Sequence, residues 1–271
     1  MNDHRPRKRF GQNFLHDRNI IDKILAAVSP LSNDHFVEIG PGQGALTRPL
    51  LERVARLDVI EIDRDLAAVI QRDIDDPRLK VHLGDALKFD FSELATGPAS
   101  LRLIGNLPYN ISTPLLFRFV AHLELFRDAH VMLQKEVVER MTAKPGNKSY
   151  GRLTVSLAAR CTIESLFVVR PGSFTPAPRV DSAIARLIPD LERRALIIDE
   201  AAFEKVVAGA FNQRRKRVAN ALRNLLTTEQ IESAGIDPGA RAETIDVDAF
   251  VRLGNIYAEF DTPADDSDPS G

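Results

Sequence analysis

The sequence predicts an α/β fold with a mostly parallel, doubly wound sheet, followed by a small domain made only of helices. Three observations predict it. Short apolar runs alternate with segments of helical apolar spacing between His35 and Gln134, which is the pattern of parallel strands joined by helices. After Pro189 the apolar spacing is helical throughout. The length of 271 residues suits one large domain and one small domain.

The elements of the sheet domain follow from this alternation. The apolar runs predict strands over 35–40, 57–63, 79–83, 101–106 and 129–134. Helical spacing predicts helices over 20–28, 46–56, 66–73, 113–123 and 136–142. Two later runs, 165–170 and 180–188, are joined by residues rich in proline and glycine, and they predict an antiparallel pair at one edge. The predicted sheet therefore has seven strands.

The domain boundaries follow the change in pattern. Residues 1–189 are expected to form the sheet domain, with residues 1–9 as a flexible basic arm. Apolar residues recur at helical spacing from Phe203 to Leu225, and they predict a helical domain over 190–260. Residues 261–271 contain four aspartates and no basic residue, so their composition predicts a disordered acidic tail.

The composition excludes several classes of protein. Cys161 is the one cysteine, so an internal disulfide framework is impossible. The histidines show no metal-ligand spacing, and His16, His35, His82 and His130 are expected to be surface or capping groups. No apolar run approaches the roughly 20 residues of a membrane span. A soluble cytoplasmic protein without a metal is expected.

Basic residues are clustered, although the net charge is −2. One cluster comprises Arg5, Arg7, Lys8 and Arg9, and the second comprises Arg214, Arg215, Lys216, Arg217 and Arg223. The second cluster is expected on the polar side of an amphipathic helix. Local basic patches bind phosphates whatever the average charge. Each cluster taken singly is also compatible with a plain solvated surface.

A glycine-rich loop follows the first predicted strand. Gly40 and Gly42, preceded by Glu38, lead into a helix whose N-terminus attracts anions. Glu61 and Asp85 end the next two strands, where carboxylates can bind ribose hydroxyls and an adenine amino group. These three strand ends predict a cofactor that contains adenosine. NAD and S-adenosylmethionine both fit, and the absence of the dinucleotide G-x-G-x-x-G spacing favours S-adenosylmethionine.

The fourth strand ends in Asn106, Leu107, Pro108 and Tyr109. The side-chain carbonyl of Asn106 and a neighbouring backbone carbonyl can accept both hydrogens of an aromatic amine, which turns the nitrogen lone pair toward an electrophile. Tyr109 can stack on the ring. Because a methylsulfonium is already activated, methyl transfer needs alignment more than acid–base groups. For these four residues alone, an ordinary turn in which Pro108 sets φ remains the alternative.

Further motifs occur in a fixed order along the chain, and they span 8–15, 38–42, 61–63, 84–87, 106–112, 174–182 and 211–216. By these motifs the chain resembles the ribosomal RNA adenine N6,N6-dimethyltransferases, most closely the bacterial branch that modifies small-subunit rRNA. The resemblance extends from about Arg7 to Phe260 and leaves out the acidic tail. It implies a class I, S-adenosylmethionine-dependent methyltransferase with a Rossmann-like sheet and a helical rRNA-binding domain.

The resemblance also implies a substrate and partners. The enzyme is expected to convert two adjacent adenosines near the 3′ end of 16S rRNA into N6,N6-dimethyladenosines. Its partner is expected to be the immature small ribosomal subunit, with no membrane and with the enzyme as a monomer. A further role as an assembly checkpoint is expected.

Residue roles come from the same resemblance. The implied cofactor-binding residues are Gln12, Asn13, Leu15, Gly40, Gly42, Glu61, Ile62, Asp85, Ala86 and Asn106. The implied catalytic residues are Asn106, Leu107, Pro108, Tyr109 and Phe174, with Tyr109 and Phe174 on the two faces of a flipped base. The implied RNA-binding residues are Arg7, Lys8, Arg9, Arg214, Arg215, Lys216 and Arg217.

Three alternatives stay open. Antibiotic-resistance dimethylases that act on large-subunit rRNA share this chemistry, although segments 211–216 and 110–112 favour the small-subunit branch. An RNA-binding or assembly factor with secondary catalysis is the next alternative. The third alternative is a methylase of DNA or protein amines, which is disfavoured because such enzymes normally have proline where Leu107 stands.

The loop over 144–152 is expected to be exposed and mobile near the active-site edge, either contacting substrate or only connecting elements.

Overall fold

A computed structural model describes residues 12–213 and 215–261. The predicted arm at 1–9 (with Arg7, Lys8 and Arg9), Arg214, and residues 262–271 of the predicted tail lie outside the described residues. The chain divides into two compact units. Within the described residues, the first unit runs to Glu139 and includes Thr162–Pro189, and the second comprises Arg140–Cys161 and the chain from Asp190 onward.

The first unit is built on a sheet with helices between its strands. Its strands are β1 (Phe14–Leu15), β2 (His35–Ile39), β3 (Arg56–Glu61), β4 (Leu79–Leu83), β5 (Leu101–Asn106), β6 (Phe126–Gln134), β7 (Cys161–Val169, whose first residue is in the second unit), β8 (Phe174–Thr175) and β9 (Ser182–Pro189). Its helices are α1 (Arg18–Val28), α2 (Thr47–Leu51), α3 (Arg64–Asp73), α4 (Ser112–Val120) and α5 (Lys135–Met141), the last of which runs into the second unit.

The seven-stranded sheet has the order β4-β3-β2-β5-β6-β9-β7. Strands β2 to β6 pair in parallel, and β9 pairs antiparallel with β6. The structure thus confirms the mostly parallel sheet and the predicted strand positions. Because the order reverses at β2 and β5, the carboxyl ends of these strands open a crevice at the switch point of the sheet.

One predicted helix is much shorter than expected. The helical spacing over 46–56 predicted a long helix, whereas α2 ends at Leu51. The backbone N–H groups of Ala55 and Arg56 donate to the carbonyl of Asp34 at 3.2 and 3.3 Å, so this part of the chain already leads into β3. A tertiary hydrogen bond therefore outweighs the local helical pattern.

Three predicted surface histidines are structural. His35 on β2 and His82 on β4 each lie 2.6 Å from the carboxylate of Asp58 on β3, which also accepts a bond of 2.8 Å from Arg56. Burial alone would raise the pKa of Asp58, but these hydrogen bonds outweigh it and hold that pKa well below its usual range. His130 is buried in β6, and burial lowers its pKa to about 4, so it stays neutral.

The second unit is helical. Its helices are α6 (Arg152–Ala158), α7 (Leu191–Arg194), α8 (Glu200–Phe211), α9 (Val218–Leu222), α10 (Thr228–Ser233) and α11 (Val247–Asp261). The long helices α8 and α11 pack closely, because a Cβ added to Gly254 would lie only 2.9 Å from the Cα of Phe203. Asp261, which was placed in the predicted tail, ends α11.

Residues 140–161 join this second unit, whereas the sequence placed them in the first domain. Tyr150 is fully buried there, and its hydroxyl donates to the carbonyl of Ile245 at 2.8 Å. Residues 144–148 are exposed as predicted, but the N–H of Gly146 donates to the carbonyl of Glu243 at 2.7 Å. The loop is therefore exposed, as expected, and it is attached to the second unit by the Gly146 bond and by the burial of Tyr150. Among the described residues, no helix has the length and apolar character needed to cross a membrane.

Candidate active site

The loops after β2, β3, β4 and β5 meet around one cavity of about 250 Å³. That volume is many times the roughly 10–15 Å³ that one water molecule needs, so the cavity is large enough for an organic ligand. Its walls contain every residue of the implied cofactor set: Gln12, Asn13, Leu15, Gly40, Gly42, Glu61, Ile62, Asp85, Ala86 and Asn106. Leu107, Pro108 and Tyr109 line the same cavity. All of these residues belong to the first unit.

The backbone of the glycine loop lines the cavity at Gly40 and Gly42, where no side chain covers it. Gly40 and Gly42 have φ values of +67° and +56°, which residues other than glycine rarely adopt. A Cβ added to Gly42 would lie 3.0 Å from the ring of Phe14. The conformation and the space therefore both favour glycine, and a ligand can approach the main chain closely.

Glu61 is buried at the end of β3 and accepts hydrogen bonds from the loops that follow β2 and β3. Its carboxylate accepts from the N–H of Asp63 at 2.9 Å and from the N–H of Gly42 at 3.4 Å. Burial raises its pKa in spite of these bonds. A carboxylate held in this way keeps further lone pairs for a ligand with paired hydroxyl groups.

Glu38 is a site residue whose role the sequence did not predict. It is fully buried beneath the glycine loop and accepts a bond of 2.7 Å from the hydroxyl of Thr47. Burial raises its pKa to about 7, and the nearby Glu61 adds to this effect. Its position before Gly40 was visible in the sequence, but its burial and its bond to Thr47 were not.

The second and third strand ends supply an apolar surface and a short polar turn, respectively. The carboxylate of Asp85 accepts from the N–H of Leu87 at 3.0 Å, which fixes the turn after β4. Ile62 lines the cavity although 47 % of it is exposed. An exposed branched apolar side chain and a carboxylate on the wall of one cavity suit a planar heterocycle that carries an amino group.

The Asn106 amide is oriented by the N-terminal segment. Its Nδ2 donates to the backbone carbonyl of Asn13 at 2.8 Å, across 93 residues of sequence. This bond fixes the plane of the amide and leaves Oδ1 available as a hydrogen-bond acceptor. Leu107 follows with its N–H bonded to the carbonyl of Met132 at 3.1 Å, so β6 also holds the start of the turn.

Phe174 differs from its predicted role. It is 3 % exposed, lies outside the cavity wall and packs in the core with residues such as Leu15. The reason is a short antiparallel ribbon in which Leu15 of β1 pairs with Phe174 of β8. In this geometry Phe174 packs against the strand whose Leu15 lines the cavity, and its own ring is buried away from the cavity wall.

The basic cluster of the second unit also differs from its prediction. Arg215, Lys216 and Arg217 are exposed, but they lie in the turn between α8 and α9 and not on a helix. The N–H of Lys216 donates to the carbonyl of Gln213 at 2.8 Å, and Arg217 forms a β-bridge with Arg241.

Over residues 12–213 and 215–261, no group of histidine, cysteine and acidic side chains is arranged to hold a metal ion.

A mostly parallel seven-stranded sheet, with a glycine loop, a buried strand-end carboxylate and a strand-end amide around one cavity, defines a class I methyltransferase dependent on S-adenosylmethionine. A family model described as ribosomal RNA adenine dimethylase matches residues 3–259. The chain therefore belongs to the ribosomal RNA adenine dimethylase family, and it is an S-adenosylmethionine-dependent rRNA adenine dimethyltransferase.

Named relatives agree with this assignment. The chain is 52 % identical over 257 residues to the ribosomal RNA small subunit methyltransferase A of Pseudomonas putida, covering 94 % of this chain and 96 % of the relative. It is 51 % identical over 251 residues to the protein of that name from Nitrosococcus oceani, covering 92 % and 95 %.

Solved structures show the same fold. A dimethyladenosine transferase from Plasmodium falciparum superposes with a TM-score of 0.75 at 27 % identity, covering 89 % of this chain and 95 % of that one. The 23S rRNA methyltransferase ErmE superposes with a TM-score of 0.70 at 26 % identity, covering 91 % and 100 %. The predicted fold class, enzyme class and cofactor are thereby confirmed.

Proposed function

We propose that this enzyme dimethylates N6 of two adjacent adenosines near the 3′ end of 16S rRNA, acting as a cytoplasmic monomer on the immature small subunit. Support for the subunit comes from relatives that carry the small-subunit name at about 50 % identity over more than nine-tenths of the chain. The 23S enzyme is only 26 % identical. The observation that carries the chemistry is the fixed Asn106 amide beside the glycine loop.

The cavity residues fit S-adenosylmethionine, which supplies a methyl group already activated by its positive sulfur. The backbone of Gly40 and Gly42 would lie directly beneath the methionine part of the ligand, and Glu61 would bind the ribose hydroxyls. Asp85 and the backbone of Ala86 would bind the adenine, with Ile62 against its face. Gln12, Asn13 and Leu15 would cover the ligand, since they line the cavity and β1 is tied to β8.

The amine would be held at Asn106. Its Oδ1 and the carbonyl of Leu107 accept the two N–H hydrogens, which turns the nitrogen lone pair toward the methyl group. After one methylation a single hydrogen remains, and one acceptor is enough to orient the amine. Transfer then depends on in-line alignment. No titratable base is needed within 106–109, because the cationic nitrogen loses its proton to water.

The base and the RNA would be held by different groups. Tyr109 lines the cavity next to Asn106, and its ring would stack on an adenine that has left the helix. Pro108 keeps the turn rigid between them. Arg215, Lys216 and Arg217 would contact rRNA phosphates. Roles for Arg7, Lys8, Arg9 and Arg214 remain predictions, as those residues lie outside the described chain.

The substrate is tested by offering labelled S-adenosylmethionine with unmethylated small subunits, large subunits and naked 16S rRNA, then mapping the modified nucleotides. We expect label at two adjacent adenosines near the 3′ end of 16S rRNA. Label confined to large-subunit RNA would contradict the proposal. The checkpoint role predicts in addition that an Asn106→Ala variant still binds immature small subunits, which sedimentation with the subunits measures.

A further inference from the structure

The hydroxyl of Tyr109 has a partner on another strand. It lies 2.6 Å from Oγ of Ser182, a hydrogen-bond distance. Ser182 is fully buried and is the first residue of β9. The two residues are 73 positions apart in sequence, so only the tertiary fold creates this contact.

The Ser182 end of this bond is rigid. In the sheet Ser182 pairs with Gln134 of β6, and Met132 of the same strand pairs with Asn106 of β5. The preceding residue is also fixed, because the carbonyl of Asp181 accepts from the N–H of Lys135 at 2.9 Å. The Ser182 hydroxyl and the Asn106 amide are therefore held by the same sheet, with one strand between them.

The Tyr109 end lies in the turn after β5. Its carbonyl accepts from the Ser112 hydroxyl at 3.1 Å, which fixes the backbone but leaves the side-chain torsions free. The hydroxyl bond to Ser182 restrains those torsions and keeps the ring in one rotamer. A binding surface works best when its rotamer is already locked, since less entropy is then lost on binding.

We propose that Ser182 is a positioning residue for base recognition, whose hydroxyl holds the Tyr109 ring in the orientation that stacks on the target adenine. This rests on the function proposed above. The proposal explains why a tyrosine follows Pro108. Its ring supplies the stacking face, and its hydroxyl bonds to Ser182 in the sheet and so holds that face in position. The tyrosine hydroxyl has no part in proton transfer in this account.

The test compares Ser182→Ala, Tyr109→Phe and the double variant in steady-state methylation of unmethylated small subunits. We expect each single variant to lower kcat/KM roughly 5- to 30-fold, the effect of losing one buried hydrogen bond. The double variant should be no worse than either single variant within about twofold, because both remove the same bond. Ser182→Thr, which keeps the hydroxyl, should recover most of the activity.

Controls separate positioning from folding. Ser165→Ala removes an exposed hydroxyl from β7 of the same sheet and should leave kcat/KM unchanged. The dissociation constant for S-adenosylmethionine, measured by calorimetry, should be unchanged in every variant. A merely structural role for Ser182 would instead make Ser182→Ala lower the activity by the same factor in the parental enzyme and in the Tyr109→Phe variant.

Three results overturn the proposal: parental activity in Ser182→Ala, parental activity in Tyr109→Phe, or losses that multiply in the double variant. If Ser182→Ala does not fold, Tyr109→Phe breaks the same bond from the other side and decides the question. The parental enzyme tests the substrate separately. If it labels only large-subunit RNA, the proposed function fails, and the same variants are then compared on that RNA.

Discussion

The two halves of the cavity are built in different ways. The half proposed to bind the cofactor consists of the glycine loop, Glu61 and Asp85. Glu61 accepts from the N–H groups of Gly42 and Asp63, and Asp85 accepts from the N–H of Leu87 in its own turn. The half proposed to hold the target consists of Asn106–Tyr109, held by Asn13 and Ser182 from 93 and 73 residues away; Asn106 also belongs to the implied cofactor set. In the proposed function, cofactor binding therefore depends on local strand-end geometry, whereas alignment of the amine depends on long-range contacts. Damage to one half should therefore leave the other largely intact.

The largest effect is expected from Asn106→Ala. Removing the amide deletes the acceptor for the target amine, and loss of one oriented group of this kind typically costs about 100- to 1000-fold in rate. The methylation rate on small subunits should fall by at least that factor, while circular dichroism and the melting temperature stay near parental values. Asn19→Ala, which changes an exposed asparagine on α1, is the matched control. A rate within tenfold of the parent would contradict the role of Asn106.

Glu61→Gln should damage the cofactor half selectively. The neutral amide accepts weaker hydrogen bonds than the carboxylate, so the dissociation constant for S-adenosylmethionine should rise about 10- to 100-fold. Isothermal calorimetry measures this directly. Glu52→Gln, which changes an exposed glutamate after α2, serves as the control. An unchanged cofactor affinity would remove Glu61 from the proposed ribose site.

A smaller effect is expected from the exposed cations of the second unit. Replacing Arg215 and Lys216 together by glutamine should weaken rRNA binding and should reduce the slope of log K against log salt by about 2, one for each lost phosphate contact. Arg18→Gln with Lys80→Gln, exposed cations of the first unit, is the control pair. Equal salt slopes in the parent and the Arg215/Lys216 variant would show that these side chains do not touch phosphate.

The smallest expected effect concerns the pH dependence of stability. Burial raises the pKa of Glu38 to about 7 from 4.5. The folded state therefore binds a proton that the unfolded state has lost, so this group lowers the free energy of unfolding as the pH rises from 4.5 to 7. Glu38→Gln should flatten that slope in urea unfolding measured without cofactor. Identical slopes in the parent and the variant would contradict the burial of this carboxyl group.

The sequence predicted that Gly40, Glu61 and Asp85 meet at one edge of the sheet, because the information for this is local. Gly40, Glu61 and Asp85 stand at the ends of three successive apolar runs, and parallel strands bring such ends together. The strand pattern predicted the sheet for the same reason. The length of helix α2 was overestimated, because Ala55 and Arg56 of the predicted helix bond to Asp34, which lies outside that segment.

The remaining differences have one physical origin, which is tertiary contact. The burial of Phe174 follows from its pairing with Leu15, and the inclusion of residues 140–161 in the second unit follows from the burial of Tyr150. The bond between Tyr109 and Ser182 joins two motifs that were both visible, but nothing in their spacing shows that they meet. Periodicity reports which face of an element is buried and carries no information about its partner.

The most direct test of the separation between the two halves is the single-turnover methylation rate at saturating S-adenosylmethionine, measured side by side for Glu61→Gln and Asn106→Ala on unmethylated small subunits. Saturation should restore Glu61→Gln to within about fivefold of the parent, because its defect is in binding. Asn106→Ala should remain at least about 100-fold slower, because its defect is in alignment. Equal rates for the two variants, or recovery of Asn106→Ala by added cofactor, would contradict the account.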